Sequence, residues 1–375
     1  MNVTGRTPLH DDHVAAVALA SLDSLGARRL RVLVDHFGTP TRALRAVEQR
    51  RARAVLAPTF GPNHRHLLDP MCARWATAID IGGTRALLEA RGTHVWLDGE
   101  PEFPITEPLP ELPACLLAEG DRPDAFHAPR VAIVGTRSAT PHGLALARER
   151  AGTLVDAGVS VVSGLALGID GAAHAGAVAA GGSTVGIVAT GLDVEYPRRH
   201  HALYRDVRAQ GLVLGETGYG IGPAPWRFPV RNRIIAALAD IVVVVEATLT
   251  GGARITAEHA VRYDRAVFAV PGSRRNAASA GTNALIADGA YPLTEWSDVL
   301  IALGMTPGVR RGAAPARVPP DGDGRRVLDA LGGEPASPEQ LAARTGLGPE
   351  AMALTVAVLE RTGWVIWSQG LVWPQ

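Results

Sequence analysis

Lysine is absent from the 375 residues, so all 37 basic residues are arginine. A P-loop of the form G-x-x-x-x-G-K-[ST] is therefore excluded, and every fixed positive charge is a planar donor suited to forked contacts with phosphate. Cysteine is scarce: Cys72 and Cys115 are far apart and in no C-x-x-C pattern. Neither a disulfide framework nor a zinc site is implied, and a reducing compartment fits. There is no charge excess, with 37 basic against 37 acidic residues, so any polyanion site must be local. Long apolar runs are missing too. The most apolar stretch, Ile234 to Ala247, is interrupted by Asp240, and the first eight residues have no apolar run behind a basic start. The expectation is an untargeted cytoplasmic protein without membrane contact.

What is present is 47% hydrophobic residues, enough for one large core with small satellites. Residues 11–57 carry apolar positions at helical spacing through Val14, Val17, Leu22, Leu25, Leu30, Leu33 and Phe37. A small helical domain is expected over 1–91. Within it Leu22-Asp-Ser-Leu-Gly26-Ala-Arg-Arg-Leu30 reads either as a helix-hairpin-helix turn (a SAM-like or helix-hairpin-helix-like domain) or as a plain turn in a bundle. Residues 92–129 are proline-rich without a clear period, and are expected as a connector strapped to the core.

From 130 to 305 short β-branched runs alternate with glycine-rich turns and helical stretches. Strands are expected at 131–134, 159–162, 185–188, 212–214, 241–245 and 267–270, with helices at 141–157, 171–181, 199–209, 231–239 and 255–264. The runs are mostly apolar throughout, as in a parallel sheet covered on both faces. The fold class is α/β, a Rossmann-like doubly wound, mainly parallel sheet with ligands outside the carboxyl ends of its strands. Residues 306–324 have a linker's composition. Residues 325–375 then give three helices and two short strands about Gln369-Gly370, the order of a winged helix. Its third helix lacks the basic and amide side chains of a base-reading helix, which favours protein contact.

Four glycine-rich turns follow strands: Gly135-Thr136-Arg137, Ser163-Gly164 through Gly171, Gly251-Gly252 after Thr248, and Gly272 after Pro271. Small residues and free N–H groups near helix starts bind anions, although each turn alone could be a tight βα loop. No turn completes the G-x-G-x-x-G of a dinucleotide fold. The most specific segment is Phe228-Pro-Val-Arg231-Asn232-Arg233. Arginine on phosphate with an aromatic ring stacking a base is the pattern of sequence-tolerant single-strand binding. The bland alternative makes Phe228 core filling and places Arg231 and Arg233 in ordinary ion pairs.

Acids and bases near the rim are Asp170, His174, Glu216, Glu246 and Glu258. No serine or cysteine nucleophile is spaced to complete a hydrolytic set; Asp170 reads equally as the N-cap of helix 171–181 and His174 as a packed helix residue. No histidine has metal-ligand spacing, so no cofactor and no metal is expected. The reading is a binding protein rather than an enzyme.

The ordered set Gly135-Thr-Arg137, Ser163-Gly-Leu-Ala-Leu-Gly-Ile-Asp-Gly-Ala-Ala-His174, Gly191-Leu-Asp-Val-Glu-Tyr-Pro197, Phe228 to Ala236, Val244-Val-Glu-Ala247, Val267 to Gly272 and Gly281-Thr-Asn-Ala-Leu-Ile286 resembles the DNA-processing protein A (DprA/Smf) family. The flanking helical and winged-helix segments are similar as well. The resemblance implies a single-stranded DNA groove in which Arg137 contacts phosphate. Ser163, Gly164, Arg231, Asn232, Gly251, Gly252 and Gly272 would support it, and Phe228 would pack on a base. It also implies a homodimer and partnership with RecA, loaded onto incoming single strands in natural transformation. Arg254 stands where relatives have an aliphatic residue, so it either alters the loop or adds a phosphate contact. The same fold variant also resembles phosphoribohydrolases, but Pro271-Gly-Ser-Arg-Arg lacks their Pro-Gly-Gly-x-Gly-Thr turn. A nucleotide-binding sensor using the same rim is the other alternative.

Overall fold

The computed structural model describes residues 9–109, 111–305, 320, 322–362, 364–368 and 370–374. The expected linker lies outside the described residues as far as residue 319, and so does Gln369 of the expected hairpin. Residues 322–324, read as linker, already belong to a helix.

Among the described residues six α-helices come first: α1 (Asp11–Ala20), α2 (Gly26–Phe37), α3 (Pro40–Glu48), α4 (Arg53–Leu56), α5 (Leu68–Ala78) and α6 (Ile81–Arg91). Their starts follow local chemistry. Thr39 accepts the Arg42 amide with Pro40 in the first turn, and Asp80 accepts the Gly83 amide at 2.8 Å. The segment expected as an irregular strap contributes two strands, β1 (His94–Leu97) and β2 (Cys115–Glu119). All of β2 is buried, so its backbone needs ladder partners that a loop could not supply.

The core then runs β3 (Arg130–Val134), α7 (Pro141–Asp156), β4 (Ser160–Ser163), α8 (Ile169–Ala179), β5 (Thr184–Ile187), α9 (His201–Gln210), β6 (Leu212–Gly215), α10 (Arg227–Leu238), β7 (Ile241–Val244), α11 (Gly252–Arg262), β8 (Ala266–Ala269), α12 (Ala280–Ala287), β9 (Tyr291–Pro292) and α13 (Ser297–Ala302). Each of the six expected strands lies within one residue of its predicted ends. The sheet order is β1-β2-β6-β5-β4-β3-β7-β8-β9. The β1–β2 and β2–β6 pairs are antiparallel and the others parallel.

Alternation along the strands divides the core. Val131 and Ile133 pack with Ala147, Ala151 and Leu154 of α7; Ala132 and Val134 face Ile234 and Ile235 of α10 and Ala257 of α11. The amino-terminal helices share one apolar cluster with Leu165, Val188, Tyr204 and Val213, so they are fused to one face of the sheet. The carboxy-terminal segment forms α14 (Gly322–Leu331), α15 (Pro338–Thr345), α16 (Pro349–Arg361), β10 (Val365–Ser368) and β11 (Leu371–Pro374), the winged helix. A capping box between Ser337 and Gln340 starts α15, and left-handed Gly346 ends it. Among the described residues no helix is long and apolar enough to cross a membrane.

His174 stitches α8 to the sheet. Its Nδ1 lies 2.8 Å from Thr184 Oγ1, which itself donates to the Val161 carbonyl, so Nδ1 carries the proton. Complete burial lowers the imidazole pKa from 6.5 to about 3. The unfolded chain takes up a proton below about pH 6.5, whereas the folded chain refuses it until near pH 3. Stability from this site is full above pH 6.5 and is lost as pH falls, by up to about 1.4 kcal/mol per pH unit. Denaturation of wild type and His174→Gln across pH 4–8 should give profiles that are parallel above pH 6.5 and diverge below it; parallel profiles throughout would contradict a neutral buried His174.

Candidate nucleic-acid interface

Strand order reverses between β3 and β7, so the loops after these strands part and leave a crevice at the carboxyl edge. A cleft of about 590 Å³ occupies it. Gly135, Thr136 and Arg137 form one wall, Gly251 and Gly252 the opposite one, and Phe228, Arg231 and Asn232 of α10 the third side.

The floor is organised by two buried charges. Asp170 accepts the Gly164 amide at 3.1 Å and is also hydrogen-bonded by the amides of Gly135 and Ala166. Arg231 is 5% exposed, and its Nη1 donates to the Gly164 carbonyl at 2.6 Å and to the Ile187 carbonyl. Gly164 lies between these groups. A Cβ there would stand 2.5 Å from the Asp170 carboxylate and 2.6 Å from the Arg231 guanidinium, so only glycine lets the charges face each other. Burial raises the Asp170 pKa, against the pull of Arg231 and the three amides, and burial lowers that of Arg231, against the pull of Asp170. Asp170 is not the N-cap of α8. That position is Gly168, whose φ of 79° and approach to the Thr136 carbonyl suit glycine alone.

The rim is different. Arg137 is exposed, and among the described residues it has no ion pair; its guanidinium lies 4.8 Å from the centre of the Phe228 ring. Phe228 in turn meets Tyr196 with ring centres 5.5 Å apart, and Tyr196 is 40% exposed. Across the cleft, α11 starts at Gly252 with no side-chain cap and no acid in its first turn. The Arg254 amide is taken up by the Gly251 carbonyl at 3.1 Å, which leaves the amides of Gly252 and Ala253 for an anion. Asn232 fixes this helix start by donating from Nδ2 to the Gly252 carbonyl at 3.1 Å.

Other sequence-selected residues lie elsewhere. Helix α10 begins at 227 rather than 231, so Arg231, Asn232 and Arg233 sit in its body and not at its charged end. Arg233 turns away to a buried ion pair with Glu216, the ordinary-ion-pair alternative. Ser163 is buried with its hydroxyl on the Ile133 carbonyl at 2.6 Å, beneath the cleft. Arg254 lies outside the cleft lining, 3.4 Å from Asp288. Gly272 is engaged by Asn283, which accepts its amide at 3.2 Å and donates to its carbonyl at 2.9 Å. It borders a second cleft of about 430 Å³, shared with Glu246 and with Trp373 and Pro374 of β11. Tyr196 was not selected from sequence; the available signal was an aromatic before proline in the Gly191–Pro197 motif.

Glu258 is exposed on α11, whereas Glu246 has a structural role. Glu246 accepts the amide and hydroxyl of Thr140 at 2.9 and 2.6 Å, fixing the start of α7. Cys72 and Cys115 are free and buried, and burial pushes the Cys115 thiol up to about 12. Among the described residues no group of three or more His, Cys, Asp or Glu could hold a metal ion.

A doubly wound sheet with a cleft at its switch point defines the Rossmann-like class. A family model described as DNA recombination-mediator protein A matches residues 94–304, and one described as DprA winged helix domain matches 311–370. A Mycobacterium tuberculosis relative named for DNA processing protein DprA is 36% identical over 295 residues, covering 74% of this chain and 76% of its own. DNA processing protein DprA of Streptococcus pneumoniae is 41% identical over 190 residues, 51% of this chain and 67% of that one. The X-ray structure of the pneumococcal protein overlaps at a TM-score of 0.62 and 28% identity, covering 79% of this chain and 98% of its own. The chain belongs to the DNA recombination-mediator protein A (DprA) family.

Floor and rim should separate in denaturation experiments. Arg231→Ala leaves Asp170 and two carbonyls uncompensated in the interior and should cost about 3–5 kcal/mol. Arg137→Ala removes an exposed side chain and should stay within about 0.5 kcal/mol of wild type. Equal stabilities for the two variants would contradict this division.

Proposed function

We propose that the cleft holds the backbone of single-stranded DNA without reading its sequence. The observation that carries this reading is Arg137: an exposed guanidinium with no ion pair among the described residues, stacked on Phe228 at the mouth of the cleft. The open amides of α11 add donors for a second phosphate on the facing wall. Phe228 and Tyr196 offer ring surface to unpaired bases, which a duplex would keep stacked inside. Arg231 acts mainly through its field and by shaping the floor, since its Nη1 is already engaged by two carbonyls.

The family model's description as a recombination mediator supports the wider reading. In it the protein works by binding and not by catalysis, as a homodimer in the cytoplasm, protecting incoming single strands in natural transformation and handing them to RecA. The winged helix fits protein contact better than base reading, because α16 exposes Leu354 and Val358 and has no basic residue before Arg361. The experiment for the RecA step is RecA assembly on a protected single strand with and without this protein, a faster assembly being expected with it. Light scattering checks the dimer, expected at twice the 39.3 kDa chain mass.

Two substitutions test the cleft. Arg137→Ala should flatten the log–log dependence of single-strand affinity on salt by about 0.7, the share of one phosphate contact; an unchanged slope would remove Arg137 from the backbone. Phe228→Ala should weaken binding by about 1–3 kcal/mol with the slope kept, as loss of stacking does. A loss of slope in that variant would mean the ring serves only to place Arg137.

A further inference from the structure

The same arrangement occurs twice around the start of α10. On the cleft side Arg137 lies over Phe228 at 4.8 Å; at the helix start Arg227 lies over Trp226 at 4.6 Å. Trp226 is 54% exposed although it is a large apolar ring. Arg227 lies over the indole, and more than half of the residue's surface remains exposed. Among the described residues Arg227 has no ion pair, and its buried Nε has no hydrogen-bond partner. The carboxylate that acts on it, Asp23, is exposed and beyond ion-pair distance.

The two sites are continuous. Pro223, Ala224 and Pro225 line the cleft and run directly into Trp226. Beyond it, Trp226, Arg227 and Val230 face Gly26 and Ala27 at the start of α2 across a gap of about 30 Å³. That gap is too small for a base, so a ligand would lie over the indole and not between the helices. Trp226 precedes α10 with helical dihedrals (φ −71°, ψ −19°), so it and Phe228, two residues on, lie on nearly opposite sides of the helix start. A strand meeting both must pass around the helix end, whose diameter with side chains is about 10–12 Å.

We propose that a single strand leaving the cleft bends around the start of α10 and stacks a further base on Trp226, with Arg227 meeting the adjoining phosphate. This rests on the single-strand reading of the cleft and extends it to a second contact beside the amino-terminal helices. Bound length is then set by the distance between the two aromatic stations as well as by the cleft itself.

A length series of labelled oligo-dT, titrated against the full chain, tests the extension. Wild type should gain affinity when the oligonucleotide grows long enough to pass from the cleft to Trp226. Trp226→Ala should match wild type on short oligonucleotides and bind long ones on the order of 5- to 150-fold more weakly, the worth of one stacked base. Trp226→Phe should retain most of the gain. The proposal is overturned if Trp226→Ala follows wild type at every length, or if it weakens short and long oligonucleotides alike, which would make Trp226 a support of the cleft. Failure of wild type to bind any length overturns the cleft reading instead, so the two failures are told apart.

Discussion

The facing of Asp170 and Arg231 across Gly164 is the constraint on which the site depends. One carboxylate gathers the amides of Gly135, Gly164 and Ala166, and one guanidinium holds the carbonyls of Gly164 and Ile187. The ends of β3, β4 and β5 and the second turn of α10 are thereby held in one arrangement. Each charge would be costly if buried alone. Together, with the Asp170 carboxylate on backbone amides and the Arg231 Nη1 on two carbonyls, they give the cleft a fixed floor that does not need to move when an anion arrives. Preorganisation of this kind lowers the ordering cost of binding.

Division of labour among the arginines follows. In a chain without lysine every cation has the same chemistry, so burial and partners alone decide its role. Arg231 is buried and shapes; Arg233 is buried and pairs with Glu216; Arg137 is exposed, unpaired among the described residues, and free to meet a ligand. Net neutrality of the whole molecule is compatible with an anion site, because Asp170, Glu246 and Glu216 are engaged by backbone amides, by Thr140 and by arginine respectively.

Much of the sheet was legible in the sequence, since six apolar runs such as Val131–Val134 and Ile241–Val244 can hardly lie anywhere but in a strand covered on both faces. The antiparallel strands β1 and β2 were not, because a proline-rich surround and only four or five residues each leave no periodic signal. In the site, Gly135–Arg137, Phe228 and Gly251–Gly252 were readable from glycine-rich turns and the arginine–aromatic pattern, and the fold brings them to one cleft. Arg233 could not be told from Arg231 by spacing, since the helix starts four residues early and Glu216 lies on a different loop. Gly272 looked like its fellow turns, yet Asn283 from α12 takes up its amide. Such tertiary partners have no local trace. The converse holds for Asp170, which reads as a helix cap until the amides around it are seen.

The proposed single-strand site requires the cleft to prefer an unpaired strand. A fluorescence-anisotropy titration of one labelled oligonucleotide, single-stranded and as its duplex, over a range of salt and without ATP, measures it directly. Tight, steeply salt-dependent binding of the single strand and much weaker binding of the duplex are expected. Equal affinity for both forms, or none for either, would contradict it.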